Sequence, residues 1–316
     1  IGLEILHALS KGARLITVDT RQTNMAKRSD LWLQPKIGTD HILLAGMIKA
    51  LADERRAVCP PELADLSLAR VASVTGVNED AIVASARILR ERTSTIIIYG
   101  SGATHYTTAP EVIKAIRSLA FAVGDAGIVP VPGEGNFVGV HDMGAHPNLL
   151  PGYRRISDSD ARAIFEAAWR TTLSPNPGRT YEDMMVGIRD RQIKALYLAG
   201  EVPRLPELAN LSFLIVQDIV STENMQYAHV VLPSTTFAEM DGTLANLEGR
   251  VQRLRQAIPP VGGSRPGWMI IRDLAERMGA GHWNYRSSAD VMAEISSLVP
   301  AYVNVNYETL GASGVL

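Results

Sequence analysis

Cysteine is all but missing: Cys59, flanked by Pro60 and Pro61, stands alone among 316 residues. A single thiol closes no internal disulfide, and it cannot supply the roughly four ligands that a zinc or iron–sulfur centre needs. An excess of one charge is missing too, because 31 Lys and Arg face 33 Asp and Glu, a formal net charge of −2. No basic surplus marks a nucleic-acid footprint, and no Lys/Arg cluster marks a membrane surface. No apolar run reaches the roughly 18 residues that cross a bilayer. The sequence also lacks a Walker loop, a G-x-S-x-G elbow, an H-E-x-x-H pair and a complete G-x-G-x-x-G fingerprint.

What is present is ordinary globular material, with 46% hydrophobic and 20% charged residues, long enough for two or three packed units. The chain opens on Ile1, not methionine, with residues 1–10 reading as an amphipathic helix already under way. The expectation is a piece excised from a longer, cytoplasmic protein, with no export signal in view. Short β-branched runs at 13–20, 95–100, 194–200, 212–218 and 229–234 each end at a polar residue or glycine. Such runs suit strands covered on both faces of a mainly parallel sheet. Helical patterns lie between and after them, at 40–52, 79–89, 110–122, 158–169, 180–189, 268–278 and 288–298. This alternation predicts an α/β fold of two Rossmann-like, doubly wound parallel-sheet units in three αβα layers. The Gly/Pro-rich stretch 125–153 shows no helical period, and residues 235–260 read as a glycine-punctuated polar segment. The predicted division is therefore 1–132, 133–236 and 237–316, the last being the remnant of a further domain.

In open parallel sheets, ligands bind beyond the carboxyl ends of the strands. The first strand delivers Asp19 and Arg21 there. A carboxylate at that place can accept from a ribose or a guanine, and a guanidinium can pair with phosphate. A turn-capping Asp and a surface Arg fit the same pattern. Gly38, Thr39 and Asp40 precede a helix, where either plain N-capping or anion binding would suit them. Gly100 and Gly102 follow a strong strand and could bring backbone close to a phosphate. Later, Gly200-Glu201 and Gln217-Asp218 end consecutive strands, and Asp218 fits equally well as a turn residue. His141 and His146 sit in the glycine-rich stretch, but their i, i+5 spacing with no third ligand suits hydrogen-bonded or solvent-facing rings better than a metal. The residues thus point to a nucleotide-type crevice, with neither a catalytic group nor a metal set.

Residues 18–40, VDTRQTNMAKRSDLWLQPKIGTD, resemble the molybdopterin oxidoreductases, whose pattern is V-D-P-R, T-x-x-A, A-D and P-G-T-D. Residues 238–252, AEMDGTLANLEGRVQ, are similar to that family's A-E-x-x-G-T-x-x-N-x-E-G-R-V-Q segment. Between the two, DMGAHPNLLPGY, LAGEVP, VQDIVSTEN and VVLPSTTFAE fall in the family's order. The resemblance covers nearly the whole chain and is strongest to formate dehydrogenase catalytic subunits and the large subunit of NADH–quinone oxidoreductase.

That resemblance implies two molybdopterin guanine dinucleotides, carrying molybdenum or tungsten, between two Rossmann-like domains. Asp19, Arg21, Gly38 and Asp40 would hold one guanosine arm. Gly200, Glu201, Gln217, Asp218 and Ser234 would hold the other, while Gly100, Gly102 and Gly133 would line the approach to the pterins. It also implies partner subunits for electron transfer, iron–sulfur or NADH-oxidising. Three positions depart from the pattern: Pro132 stands for the Arg of formate dehydrogenases, Val202 for an Asp or Asn, and His229 for an Asp. The iron–sulfur domain, the molybdenum-ligating Cys or selenocysteine and the C-terminal cap belong to segments outside this sequence. The piece alone is therefore expected to bind no cofactor, turn over no substrate and be prone to self-association through an uncovered sheet edge. The alternative is a structural subunit of an electron-transfer complex that keeps the fold without the cofactor, a reading Pro132 and Val202 favour.

Overall fold

A computed structural model describes residues 1–54, 59–91, 94–124 and 126–316. The chain separates into two compact units, Ile1–Gly133 and Glu134–Leu316.

In the first unit the order is α1 (Gly2–Ser10), β1 (Ile16–Val18), β2 (Leu31–Leu33), α2 (Asp40–Asp53), α3 (Leu68–Thr75), α4 (Glu79–Arg90), β3 (Ile96–Gly100), α5 (Ala109–Ala122) and β4 (Gly127–Val131). β1 pairs in parallel with β2, and β3 with β4. Its centre is α2, whose sequence is apolar on most sides and buries Leu43, Leu44, Met47, Ile48, Ala50 and Leu51. Val71 of α3, Ile82 of α4, Ile116 of α5 and Leu33 of β2 complete the same core. Gly46 lets α3 approach closely, since a Cβ there would lie 2.7 Å from a Val71 methyl. Local chemistry sets the helix ends: Ser67 and Asn78 accept from backbone amides at the starts of α3 and α4, and α3 stops at Gly76 with φ +77°.

The second unit runs α6 (Phe137–Asp142), β5 (Leu149–Leu150), β6 (Arg154–Arg155), α7 (Ser159–Trp169), α8 (Tyr181–Arg189), β7 (Ala195–Ala199), β8 (Phe213–Asp218), β9 (Val230–Pro233), β10 (Gly242–Ala245), β11 (Val251–Leu254), α9 (Gly267–Arg277) and α10 (Ser288–Leu298). Its main sheet is parallel, ordered β7-β8-β9, with β8 central and Leu214, Val216, Gln217 and Asp218 buried. Capping boxes start α8 at Thr180 with Asp183, and α10 at Ser287 with Asp290. The side chains of Trp169 and Tyr285 donate to the two oxygens of Glu294 at 3.0 and 2.5 Å, tying α7 to α10.

The mixed α/β class with small parallel sheets agrees with the reading of the sequence, and three details do not. The stretch beginning at Asp125, itself outside the described residues, is not structureless: it holds β4, α6 and β5. β4 takes its order from pairing with the distant β3, which no local period reveals. Likewise the segment after Ser234 contains the antiparallel hairpin β10-β11, turned by Asn246, whose Oδ1 accepts from the amides of Glu248 and Arg250. Nor are all strands covered on both faces. On β3, Ile97 and Tyr99 pack on the core while Ile96 and Ile98 are 63% and 40% exposed. An apolar run shows that residues tolerate burial, not how many layers cover them. Among the described residues, no helix is long and apolar enough to cross a membrane.

Candidate functional site

The first unit leaves polar groups open where β1 and β2 end. Past β1, the Asp19 amide donates to the Leu33 carbonyl at 3.2 Å, and the Asp19 carboxylate accepts from the Arg21 amide at 2.8 Å. Arg21 is exposed and has no carboxylate partner among the described residues. From β2 the chain turns through Gly38, φ +80°, into α2. Nothing lies within 4 Å of where a Gly38 Cβ would stand. Plain capping, the simpler reading of Thr39, is not what happens. Its hydroxyl donates back to the Lys36 carbonyl at 2.7 Å, and α2 begins without a side-chain cap. The Ile42 amide bonds to the Thr39 carbonyl at 3.0 Å and the Asp40 amide faces its own carboxylate, so the first turn keeps its partial positive charge with no side-chain cap from Thr39.

Asp40 lies in that first turn. Burial pushes its carboxyl above the ordinary aspartate range, and the Asp19 charge pushes the same way; its own backbone amide and His41 oppose them. Asp19 and Asp40, 21 residues apart in sequence, therefore share one electrostatic neighbourhood. Beside them, His41 Nδ1 is buried without a partner. Together these groups offer paired acceptors, uncapped amides and a free guanidinium, which suits a ligand carrying N–H donors at one end and anionic oxygens at the other.

At the other sheet of this unit, Gly100 pairs with Val131, which brings Gly102 and Gly133 to the same strand ends. All three glycines are exposed, and the nearest atom to an added Cβ is a Val131 carbonyl 4.0 Å from the Gly100 position. Among the described residues, no packing demands glycine there. A groove of about 760 Å³ against α5, lined by Pro110, Lys114, Arg117, Phe121 and Ile128, contains none of the candidate residues.

The second unit closes its strand ends on themselves. The sheet brings Gly200, Asp218 and Ser234 side by side, with the Gly200 amide donating to the Gln217 carbonyl and the Ser234 amide to the Asp218 carbonyl, each at 2.9 Å. The Gln217 side chain is 8% exposed and occupied at both ends: Tyr197 donates to its oxygen, and its nitrogen donates to Ser234 Oγ at 3.4 Å. Burial raises the Tyr197 hydroxyl's pKa, which keeps it a donor. Asp218, 7% exposed, accepts from the Ile219 amide at 2.7 Å, as a turn residue would. Glu201 is exposed. The loop around Val202 is held by Asn224, 1% exposed, which donates to the Val202 and Pro203 carbonyls at 3.2 and 3.0 Å and accepts from the Leu205 amide at 2.9 Å.

Sequence reasoning placed α9 within a residue but missed Tyr197, Asn224 and the approach of Gly267, where a Cβ would stand 2.8 Å from Gln217 Nε2. The rings of His141 and His146 hold local partners, His141 Nδ1 lying 2.9 Å from the Phe137 carbonyl and His146 Nδ1 accepting from the Asn148 amide at 3.5 Å.

A family model described as molybdopterin oxidoreductase matches residues 2–277. The chain is 35% identical over 343 residues to the F420-dependent formate dehydrogenase subunit alpha of Methanocaldococcus jannaschii, covering 100% of this chain and 50% of that protein. It is 32% identical to the F420-dependent formate dehydrogenase 1 subunit alpha of Methanococcus maripaludis, with the same coverage, 100% and 50%. Against the Bacillus subtilis protein YrhE the identity is 36%, over 95% of this chain and 33% of that protein. The chain thus spans between a third and a half of the curated relatives it matches. Among solved structures, acetylene hydratase from Pelobacter acetylenicus superposes with a TM-score of 0.68 over 97% of this chain and 48% of that one. At 20% identity that likeness speaks for the fold alone.

Proposed function

The chain belongs to the molybdopterin oxidoreductase family, and from that premise we propose that it cradles the guanine dinucleotide arms of the cofactor in a formate dehydrogenase-like enzyme. The observation that carries this reading is the pairing of Asp40, half-buried and electrostatically coupled to Asp19, with an uncapped α2. A carboxylate held in a partly dry site gains from accepting two parallel N–H bonds, which guanine offers at N1 and N2 and adenine does not. His41 Nδ1 in the same turn is buried with no hydrogen-bond partner among the described residues, which supports the reading. The residues therefore fit the nucleotide arm. Asp19 and Asp40 would take the base or ribose, while Arg21, the α2 amides and the open turn at Gly38 would take the pyrophosphate. Gly100, Gly102 and Gly133 would let the pterin end pass close to backbone. Gly200, Glu201, Gln217, Asp218 and Ser234 would face the second arm.

When bound, the molybdenum or tungsten pterin supplies two-electron redox chemistry, with formate as the proposed substrate of the whole protein. The residues of this chain bind and orient the nucleotide ends; none is assigned a bond-making role. Relatives named as alpha subunits support partner subunits that pass electrons onward. In this reading residues 1–132 and 133–236 are two cofactor-binding units and 237–316 belong to a further domain of the longer protein.

A second reading, a structural subunit without cofactor, is favoured by the second unit, where Gln217 is fully engaged inside the protein. The two separate on one experiment. The longer protein that contains this chain is produced in a host that makes the cofactor and is then hydrolysed in acid. Release of GMP together with pterin fluorescence, both lowered in Asp40→Asn, upholds the cradle. A well-folded protein that releases neither upholds the structural subunit.

A further inference from the structure

Among the described residues the three-residue β1 and β2 pair with each other and with no third strand. So short a ribbon is marginal, and something besides the ladder must hold the loop that carries Asp19. The parallel register of β1 and β2 sets Ile16 beside Leu31, Thr17 beside Trp32 and Val18 beside Leu33. Ile16, Val18, Leu31 and Leu33 turn to the core of the unit, which leaves Thr17 and Trp32 on the opposite face. Gln34, two residues beyond Trp32, follows it. From that face Trp32 Nε1 donates to the Asp19 carbonyl at 2.9 Å, and Gln34 Nε2 donates to the Thr20 carbonyl, also at 2.9 Å.

Two successive carbonyls just past the end of the strand, with no further ladder to receive them, are thus met by side-chain donors from β2. Fixing them fixes the 19–20 and 20–21 peptide planes, and with them the direction of the Asp19 side chain and the amide of Arg21 that it accepts from. At the base of the same ribbon, Asp30 does the corresponding work, accepting from the Leu15 amide and pairing with Arg14, both at 2.7 Å. The base clamp only closes the ribbon, whereas the upper one ends on the backbone of a candidate ligand-binding residue.

We propose that Trp32 and Gln34 are positioning residues for nucleotide binding, acting through Asp19. The proposal rests on the nucleotide reading of this strand end. Its test is calorimetric titration of the full chain with GDP, for the wild type, Trp32→Phe, Gln34→Met, Asp19→Asn and the two doubles that include Asp19→Asn. Trp32→Phe keeps the aromatic packing and loses the N–H; Gln34→Met keeps the length and loses the donor. Each single variant is expected to weaken GDP binding by about fivefold to tenfold, the scale of one hydrogen bond. In the Asp19→Asn background the same substitutions are expected to cost nothing further, which a merely structural contribution would not produce. Binding as tight as wild type in both single variants, or losses that simply add to that of Asp19→Asn, overturns the proposal. Should Trp32→Phe fail to fold, Gln34→Met, altering an exposed side chain, carries the test alone. A wild-type chain that binds no GDP overturns the underlying nucleotide reading, and the positioning roles fall with it.

Discussion

The strand ends of the two units carry similar residues and spend them differently. At the end of β1, among the described residues, the exposed Arg21 guanidinium has no carboxylate partner, α2 has no side-chain cap, and Thr39, placed to cap the helix, bonds to Lys36 instead. At the end of β8, the comparable amide is consumed: Gln217 is engaged by Tyr197 and Ser234, with Gly267 packed against its nitrogen. Residue type alone makes both ends candidates. Hydrogen-bond satisfaction separates them, because an engaged and buried amide must break existing bonds before it can serve a ligand.

Substitutions sharpen that contrast. The largest effect should come from Gln217→Leu, which strands the partly buried Tyr197 hydroxyl. A loss of about 2–3 kcal/mol in urea unfolding is expected. Next is Asp40→Asn, expected to weaken GDP binding at least about tenfold, since hydrogen bonds to a charged group contribute about 1.5–3 kcal/mol. A smaller pair compares glycines. Gly267→Ala meets Gln217 and should cost about 1–3 kcal/mol, whereas Gly38→Ala meets no atom but must adopt a positive φ, costing about 1 kcal/mol. Thermal unfolding of both variants would break the comparison if Gly38→Ala proved the more damaging.

The smallest effect is in pH dependence, and there the two units differ in sign. Burial holds Asp40 above the ordinary range, so its ionisation opposes folding. That penalty is absent in strong acid and appears as pH rises through the raised value. Arg265 and Arg272 hold Asp273 below the ordinary range, so its stabilising contribution is present above the unfolded value and is lost as pH falls through the depressed one. Urea midpoints for Asp40→Asn and Asp273→Asn should therefore both converge on wild type in strong acid and diverge as pH rises, Asp40→Asn toward greater stability and Asp273→Asn toward less. GDP binding should strengthen as pH rises through the Asp40 ionisation.

Much of this was legible in the sequence. Helices of more than two turns announced themselves by period and cap, as with Ser287 and Asp290 before α10. The parallel strands showed as short β-branched runs. What stayed hidden is non-local. The pairing of Tyr197 with Gln217 depends on strand register, the three-residue β2 is too short to carry a period, and α3, two turns between Ser67 and Gly76, was passed over. For the candidate site, the identities of Asp19 and Asp40 were readable, but not their electrostatic proximity, nor that Thr39 would leave the helix open. Those follow from how β2 carries the chain back beside β1.

The central claim, that the open end of the first unit grips a guanine nucleotide, is tested most directly by titrating the chain with GDP and ADP side by side. The account predicts saturable binding of GDP at the first unit that exceeds ADP by about tenfold or more, a preference that is lost there in Asp40→Asn. Equal affinity for the two nucleotides, or no heat from either, would contradict it.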